Sequence, residues 1–162
     1  QPPASGSWYD WAQGFKVPSD SSCDGAELSM AKLDGTTTDI TIRIETDDGG
    51  GKPSGTLVHA NATATISGLT DTVQDWRVVT FTAFNLTGGV QYHIVADMPG
   101  TGDFRYNWYL HNAGTYADGR AWGRINNGAY TEGAAEHDLM FRINGNVLAG
   151  TGSRRLLLGV GL

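Results

Sequence analysis

Ile40, Ile42 and Ile44 alternate with Thr41, Arg43 and Glu45, so apolar and polar side chains take turns along this segment. Successive side chains of an extended chain point to opposite faces, and this pattern predicts a strand with one face on a core and the other on water. Leu139, Phe141 and Ile143 alternate with Met140, Arg142 and Asn144 in the same way. Further strands are expected at 12–17, 26–33, 56–66, 75–82, 90–96 and 104–110, with Trp122 on a short additional one. These runs are rich in Thr, Val, Ile and aromatic residues, which suit a pleated, half-buried surface.

Turn signals separate the runs at short intervals: Asp34-Gly35, Asp47-Asp48-Gly49-Gly50-Gly51, Pro53-Ser54-Gly55, Gly88-Gly89, Asp118-Gly119 and Asn127-Gly128. Gly and Asn accept the positive φ that tight turns demand. The most helix-permissive piece, 131–136, is too short to change the class. The pattern predicts an all-β fold, a single antiparallel β-sandwich of jelly-roll-like form. Its expected extent is 8–145, with an N-terminal tail at 1–7 and a Gly/Leu-rich C-terminal tail or docking arm at 146–162.

The length, 162 residues, suits one domain with a proper core. Charged residues make up 17%, below the usual share of about 25%, and the formal net charge is −6. An acidic chain without a basic stripe argues against nucleic acid as a partner. No apolar run reaches the length of a membrane-spanning helix, so no membrane insertion is expected. Residues 1–7 have neither the basic nor the apolar region of a signal peptide. Cys23 is the single cysteine, which excludes an internal disulfide framework and a multi-cysteine zinc site. It falls in a Ser-rich stretch read as a loop and is expected to be a structural thiol.

The catalytic motifs of metalloproteases, serine hydrolases and phosphate loops are absent. Gly49-Gly50-Gly51-Lys52 reads as a hairpin turn, His93 as a satisfied half-buried residue, and Glu136-His137-Asp138 as a solvated start to the last strand. Loop acids (Asp47, Asp48, Asp103, Asp118, Glu132, Glu136 and Asp138) could pair for glycoside chemistry, but sequence brings no two of them together. No enzyme and no cofactor are expected. Asp47 and Asp48 are the candidates for calcium, a hard cation that takes carboxylate oxygens.

The aromatics say more. Phe104, Tyr106, Trp108, Tyr109, Tyr116, Trp122 and Tyr130 crowd one stretch, interleaved with polar groups. A core of this size absorbs some of them, and Tyr109, Tyr116 and Tyr130 are expected to stay partly exposed. Aromatic faces beside Asn, Asp and Arg suit sugar rings, whose C–H faces stack while their hydroxyls take directed hydrogen bonds. Flat partner surfaces use the same residue types. The candidate glycan-binding residues are therefore Tyr109, Tyr116, Trp122 and Tyr130 for stacking, with Arg105, Asn107, Asp118 and Arg120 for polar contacts. Candidate assembly residues are Trp8 and Trp11 at one end, and Arg154, Arg155, Leu156, Leu157 and Leu158 at the other. Large apolar side chains left wet forfeit about 1.5–3 kcal/mol each, so the C-terminal leucines are expected to bury against the domain or a neighbour.

Several stretches together carry a resemblance. They are Ala12-Gln13-Gly14-Phe15; Ile42-Arg43-Ile44-Glu45-Thr46 leading through Lys52-Pro53-Ser54-Gly55-Thr56; Trp76 with Val79-Thr80-Phe81; Leu86 through Ile94; and Asp138 through Ile143. In this order and spacing the chain resembles a carbohydrate-binding-module-like β-sandwich found in phage and virion appendages and in bacterial surface proteins. One departure is Asp34-Gly35-Thr36-Thr37-Thr38, where an Asn-Pro-type turn would be expected. The resemblance implies a jelly-roll-like fold on a larger surface assembly and carries no catalytic residues. The expectation is a non-enzymatic glycan-binding adhesin module of a virion or virion-like particle, a fibre or spike attaching to host surface polysaccharide. Its partners would be virion or appendage proteins and further copies of itself in a homo-oligomer, at the virion or an extracellular surface. The alternative is a purely structural decoration or connector protein docking on capsid or tail partners.

Overall fold

The computed structural model describes residues 9–35, 39–70, 72–97, 105–111, 116–125, 127–133, 137–148 and 154–159. Among them the chain forms strands joined by turns, with no helix. The strands are β1 (Tyr9–Lys16), β2 (Ser21–Asp34), β3 (Ile40–Asp47), β4 (Pro53–Leu57), β5 (Thr63–Ile66), β6 (Asp75–Leu86) and β7 (Gln91–Asp97). They continue with β8 (Arg105–Trp108), β9 (Leu110–His111), β10 (Ala121–Ile125), β11 (Thr131–Glu132), β12 (Asp138–Leu139), β13 (Phe141–Val147) and β14 (Arg154–Gly159).

Two antiparallel sheets dominate. One runs β11-β10-β1-β7-β3-β4, with β5 also paired to β3. The other runs β14-β13-β2-β6, with β8 also paired to β2. A two-stranded pair, β9 with β12, lies beside them. The alternation of isoleucines works as expected: Ile40, Ile42 and Ile44 are fully buried, and they pack with Phe15 and Ile94 of the first sheet and Leu28, Met30, Phe141 and Ile143 of the second. The protein is an all-β, sandwich-like domain with one main core between its sheets.

A buried carboxamide ties the larger sheet to the two-stranded pair. Gln13 lies among the core-facing residues of β1, its Oε1 accepting the Leu139 N–H (2.8 Å) and its Nε2 donating to Asp138 Oδ1 (3.4 Å). Asp138 is therefore not the solvated strand start expected from sequence. It is 3% exposed, and its other oxygen accepts the Tyr116 N–H (3.0 Å). Buried polar groups persist where partners satisfy them, and these three do so for one another.

Other expectations shift in detail. The run 56–66 is broken into β4 and β5 by a turn in which the Ala62 N–H donates to His59 O (3.0 Å). Cys23 lies inside β2 rather than in a loop, fully buried. Of the C-terminal leucines, Leu156 buries against its own domain and Leu158 packs on the core, while Leu157 stays half exposed: β14 pairs with β13 from Arg142↔Gly159 to Val147↔Arg154, placing Leu156 at 5% exposure.

Candidate functional site

The outward face of the larger sheet is built by the alternation that buries its other side. Phe15, Tyr92 and Ile94 face the core, so Asp10, Ala12, Gly14 and Lys16 of β1, and Gln91, His93, Val95 and Asp97 of β7, face outward. Register places Trp122 beside Ala12 and Arg124 beside Asp10.

Three zones follow one another along this face. The first is charged: Arg124 Nε lies 2.6 Å from Asp10 Oδ2, Arg43 Nη1 2.6 Å from Asp97 Oδ2, and Arg43 Nη2 2.7 Å from Glu45 Oε1. Burial and the neighbouring Asp10 push the Asp97 carboxyl up, against the pull of Arg43. The second is a small apolar core of Ala12, Val95, Trp122 and Tyr130. The Arg124 guanidinium sits 4.8 Å over the Tyr130 ring, and burial drives the Tyr130 hydroxyl well above its ordinary value.

The third zone is a cleft of about 410 Å³. Lys16, Gln91, Asp118, Arg120, Trp122 and Glu132 supply its side chains, and two turns wall it. One wall is 117–120. Here the Gly14 N–H donates to Arg120 O (2.8 Å), and a Cβ on Gly119 would meet Gly14 O at 1.8 Å, so only glycine allows the turn to press against β1. Tyr116 fastens this wall from behind: its hydroxyl accepts the Lys16 N–H (3.3 Å) and its ring meets Phe141 edge-on at 5.5 Å.

The other wall is the β3–β4 turn, with Gly50 and Gly51 on the cleft. Gly49 and Gly51 hold φ of 89° and 87°. Asp47 Oδ2 accepts the N–H groups of Gly49 (2.8 Å) and Gly51 (3.2 Å), and Asp48 Oδ1 those of Gly50 (2.7 Å) and Lys52 (3.2 Å). Buried His93 clamps the turn through Nε2, 2.9 Å from Asp47 Oδ1. A carboxylate only accepts, so Nε2 carries the proton and Nδ1 is a buried acceptor with no hydrogen-bond partner among the described residues. Lys52 Nζ lies 5.9 Å from the centre of the Trp122 ring, and Arg120 is ion-paired with Glu132 across the floor.

The candidate residues are thus divided. Asp118, Arg120 and Trp122 meet in the cleft. Tyr116 stands behind its wall, half-buried, with its hydroxyl engaged. Tyr130 is not the partly exposed ring expected: it is 9% exposed, packed in the second zone. Asn107 and Tyr109 belong with the other sheet, Asn107 on β8 opposite Ala31 and Tyr109 donating its N–H to Ser29 O (2.9 Å). The Arg105 side chain lies outside the described residues, as do those of Arg154 and Arg155 and the whole of Trp8. Trp11 is half-buried against the main core, Leu158 packs on it, and Leu157 is half exposed. Asp47 divides its oxygens between its own turn and His93, Asp48 Oδ1 serves the turn, and among the described residues no group of three or more His, Cys, Asp or Glu could hold a metal ion.

Sequence reasoning missed Lys16, Gln91, Gly50 and Gly51 as site residues and named Glu132 only among loop acids. Lys16 and Gln91 end adjacent strands with no local peculiarity, and their meeting is a product of register, Lys16↔Gln91. The run of three glycines and the Asp118-Gly119 turn were the legible signals of the two walls. No family model, curated protein or solved structure matches the chain.

Proposed function

We propose that the protein is a non-enzymatic saccharide-binding module and that the cleft on the outer face of its larger sheet is the binding site. The observation that carries this reading is the lining: one indole edge set among mixed donors and acceptors, on walls fixed by turns. Such a lining suits a saccharide, whose C–H groups meet an apolar edge while its hydroxyls both give and take hydrogen bonds. The volume lies within the roughly 300–1,000 Å³ of small-ligand sites. The cleft acids do not resemble a hydrolytic pair. Glu132 is exposed and held by Arg120, whereas a glycosidase acid is kept protonated by an apolar surround. The sequence resemblance supports placing such a module on a virion or surface appendage, with host surface polysaccharide as ligand and repetition in an oligomer raising avidity.

A structural decoration or connector role is the second reading, favoured by the outer face of the other sheet. There Arg142 stacks 3.9 Å over Trp76 and pairs with Glu27 (2.9 Å), and Val78 and Leu157 on the same face are 64% and 50% exposed. Exposed apolar residues flanking an ordered aromatic–Arg pair suit a partner surface.

Binding of the purified chain to an array of polysaccharides and oligosaccharides tests the first reading. The expected result is a saturable signal that weakens in Asp118→Asn, whose fold is checked by circular dichroism. A folded chain that binds no saccharide transfers the assignment to the structural role.

A further inference from the structure

The charges of the cleft specify a class of saccharide. Lys16 and Arg120 are its cations, Asp118 and Glu132 its anions, so the lining sums to zero. Two of these already neutralise each other, since Arg120 is ion-paired with Glu132. Lys52, the next cation, is stationed over the indole ring, and the turn that carries it holds the carboxylates of Asp47 and Asp48. Lys16 and Asp118 are left as one ammonium and one carboxylate on the cleft, neither with an ion pair among the described residues. The chain as a whole carries a formal charge of −6.

We propose that the cleft selects a neutral saccharide over a polyanionic one, an inference that rests on the cleft being a saccharide site. A hydroxyl donates and accepts at once, so the hydroxyls of a neutral saccharide answer both Asp118 as acceptor and Lys16 as donor. A uronate, sulfate or sialate would answer Lys16 but set like charge against Asp118 and against the acidic turn. Like-charge juxtaposition is a strong means of rejecting a wrong ligand. The polyanion would also meet the repulsion of the whole molecule, which acts over about 10 Å at moderate salt. Trp122 is not the open stacking face expected from sequence: packed with Ala12, Val95 and Tyr130, it borders the cleft only by its edge. At 6% exposure it offers an edge contact to one sugar unit and no platform for a run of rings along the surface.

The test uses the full chain against two panels on one surface-binding instrument. The neutral panel is dextran, maltoheptaose, xylohexaose, mannohexaose and cello-oligosaccharides. The anionic panel is alginate, heparin and polysialic acid. The expected result is binding to at least one neutral probe, unchanged between about 0.05 and 0.5 M salt, because no net charge is exchanged. Asp118→Asn and Lys16→Gln should each weaken it by roughly tenfold, the scale of one hydrogen bond to a charged group. Binding confined to the anionic panel, weakening with salt and lost in Lys16→Gln, would overturn neutral selectivity while leaving a saccharide module in place. Neutral binding indifferent to both substitutions, in chains with native circular dichroism, would remove the site from this cleft. Failure of the folded chain to bind either panel would overturn the saccharide module and its neutral selectivity together.

Discussion

Burial and a carboxylate pull on His93 in opposite directions. Burial disfavours the imidazolium and outweighs the attraction of Asp47, so the ring is held below its ordinary value of 6.5. Between that value and its own lowered one the folded chain binds fewer protons than the unfolded chain. Its contribution to stability is therefore complete above about pH 6.5 and declines as the pH falls, by at most about 1.4 kcal/mol per pH unit for one proton. Asp47 adds a loss of the same sign further into acid. Burial alone would raise its carboxyl, but the His93 bond and the N–H groups of Gly51 and Gly49 hold it lower. Asp97 acts the other way. Its raised carboxyl is a burden at neutral pH that protonation relieves. His93→Gln separates these contributions, because glutamine keeps a donor toward Asp47 and cannot titrate. Melting temperatures followed from about pH 7 to about pH 5 should fall less steeply in the variant than in the parent. Equal slopes would mean that His93 does not govern this range.

Neighbouring leucines of β14 face opposite ways, and the difference is measurable. Leu156 is 5% exposed and pairs with Gly145, whereas Leu157 is half exposed and pairs with Asn144. Leu156→Ala should cost about 2–5 kcal/mol through lost burial and a residual cavity. Leu157→Ala should change stability by less than about 0.5 kcal/mol. Chemical denaturation of the two variants checks both values, and similar losses would contradict the pairing. The alternation that makes this prediction possible was legible for β3 and β13, where one face is apolar and the other polar. It was not legible in Arg154-Arg155-Leu156-Leu157-Leu158, where three leucines in a row hide a period of two. The division of 56–66 was hidden as well, since His59 and Asn61 interrupt an otherwise strand-like run without a Gly or Pro. Asp138 failed for a different reason: a polar residue reads as wet, and its partners Gln13 and Tyr116 are far along the chain.

At the scale of the molecule, the two sheets give the domain two unlike outer surfaces. The larger sheet carries charged, apolar and cleft zones in succession, and the smaller an Arg–Trp pair beside exposed aliphatics. Sequence located an aromatic cluster and assigned it to one surface. The fold distributes it, because β8 pairs with β2 in one sheet while β10 pairs with β1 in the other. Asp118, Arg120 and Trp122 were recoverable because they sit within one turn and the strand after it. Their companions Lys16 and Gln91 depend on long-range register, which no local pattern encodes.

The buried thiol on β2 turns the molecule into its own clock. Cys23 is fully enclosed, and burial pushes its pKa up to about 12, so a disulfide reagent finds neither access nor thiolate in the closed state. Each labelling event counts one molecule that has opened around the strand held between β13 and β6. Labelling in native buffer should run at least about a thousandfold slower than for an unfolded control. It should also accelerate with denaturant along the slope of global unfolding. Fast labelling indifferent to denaturant would instead date a local parting of the sheet, and would mark β2 as the seam along which this sandwich first comes apart.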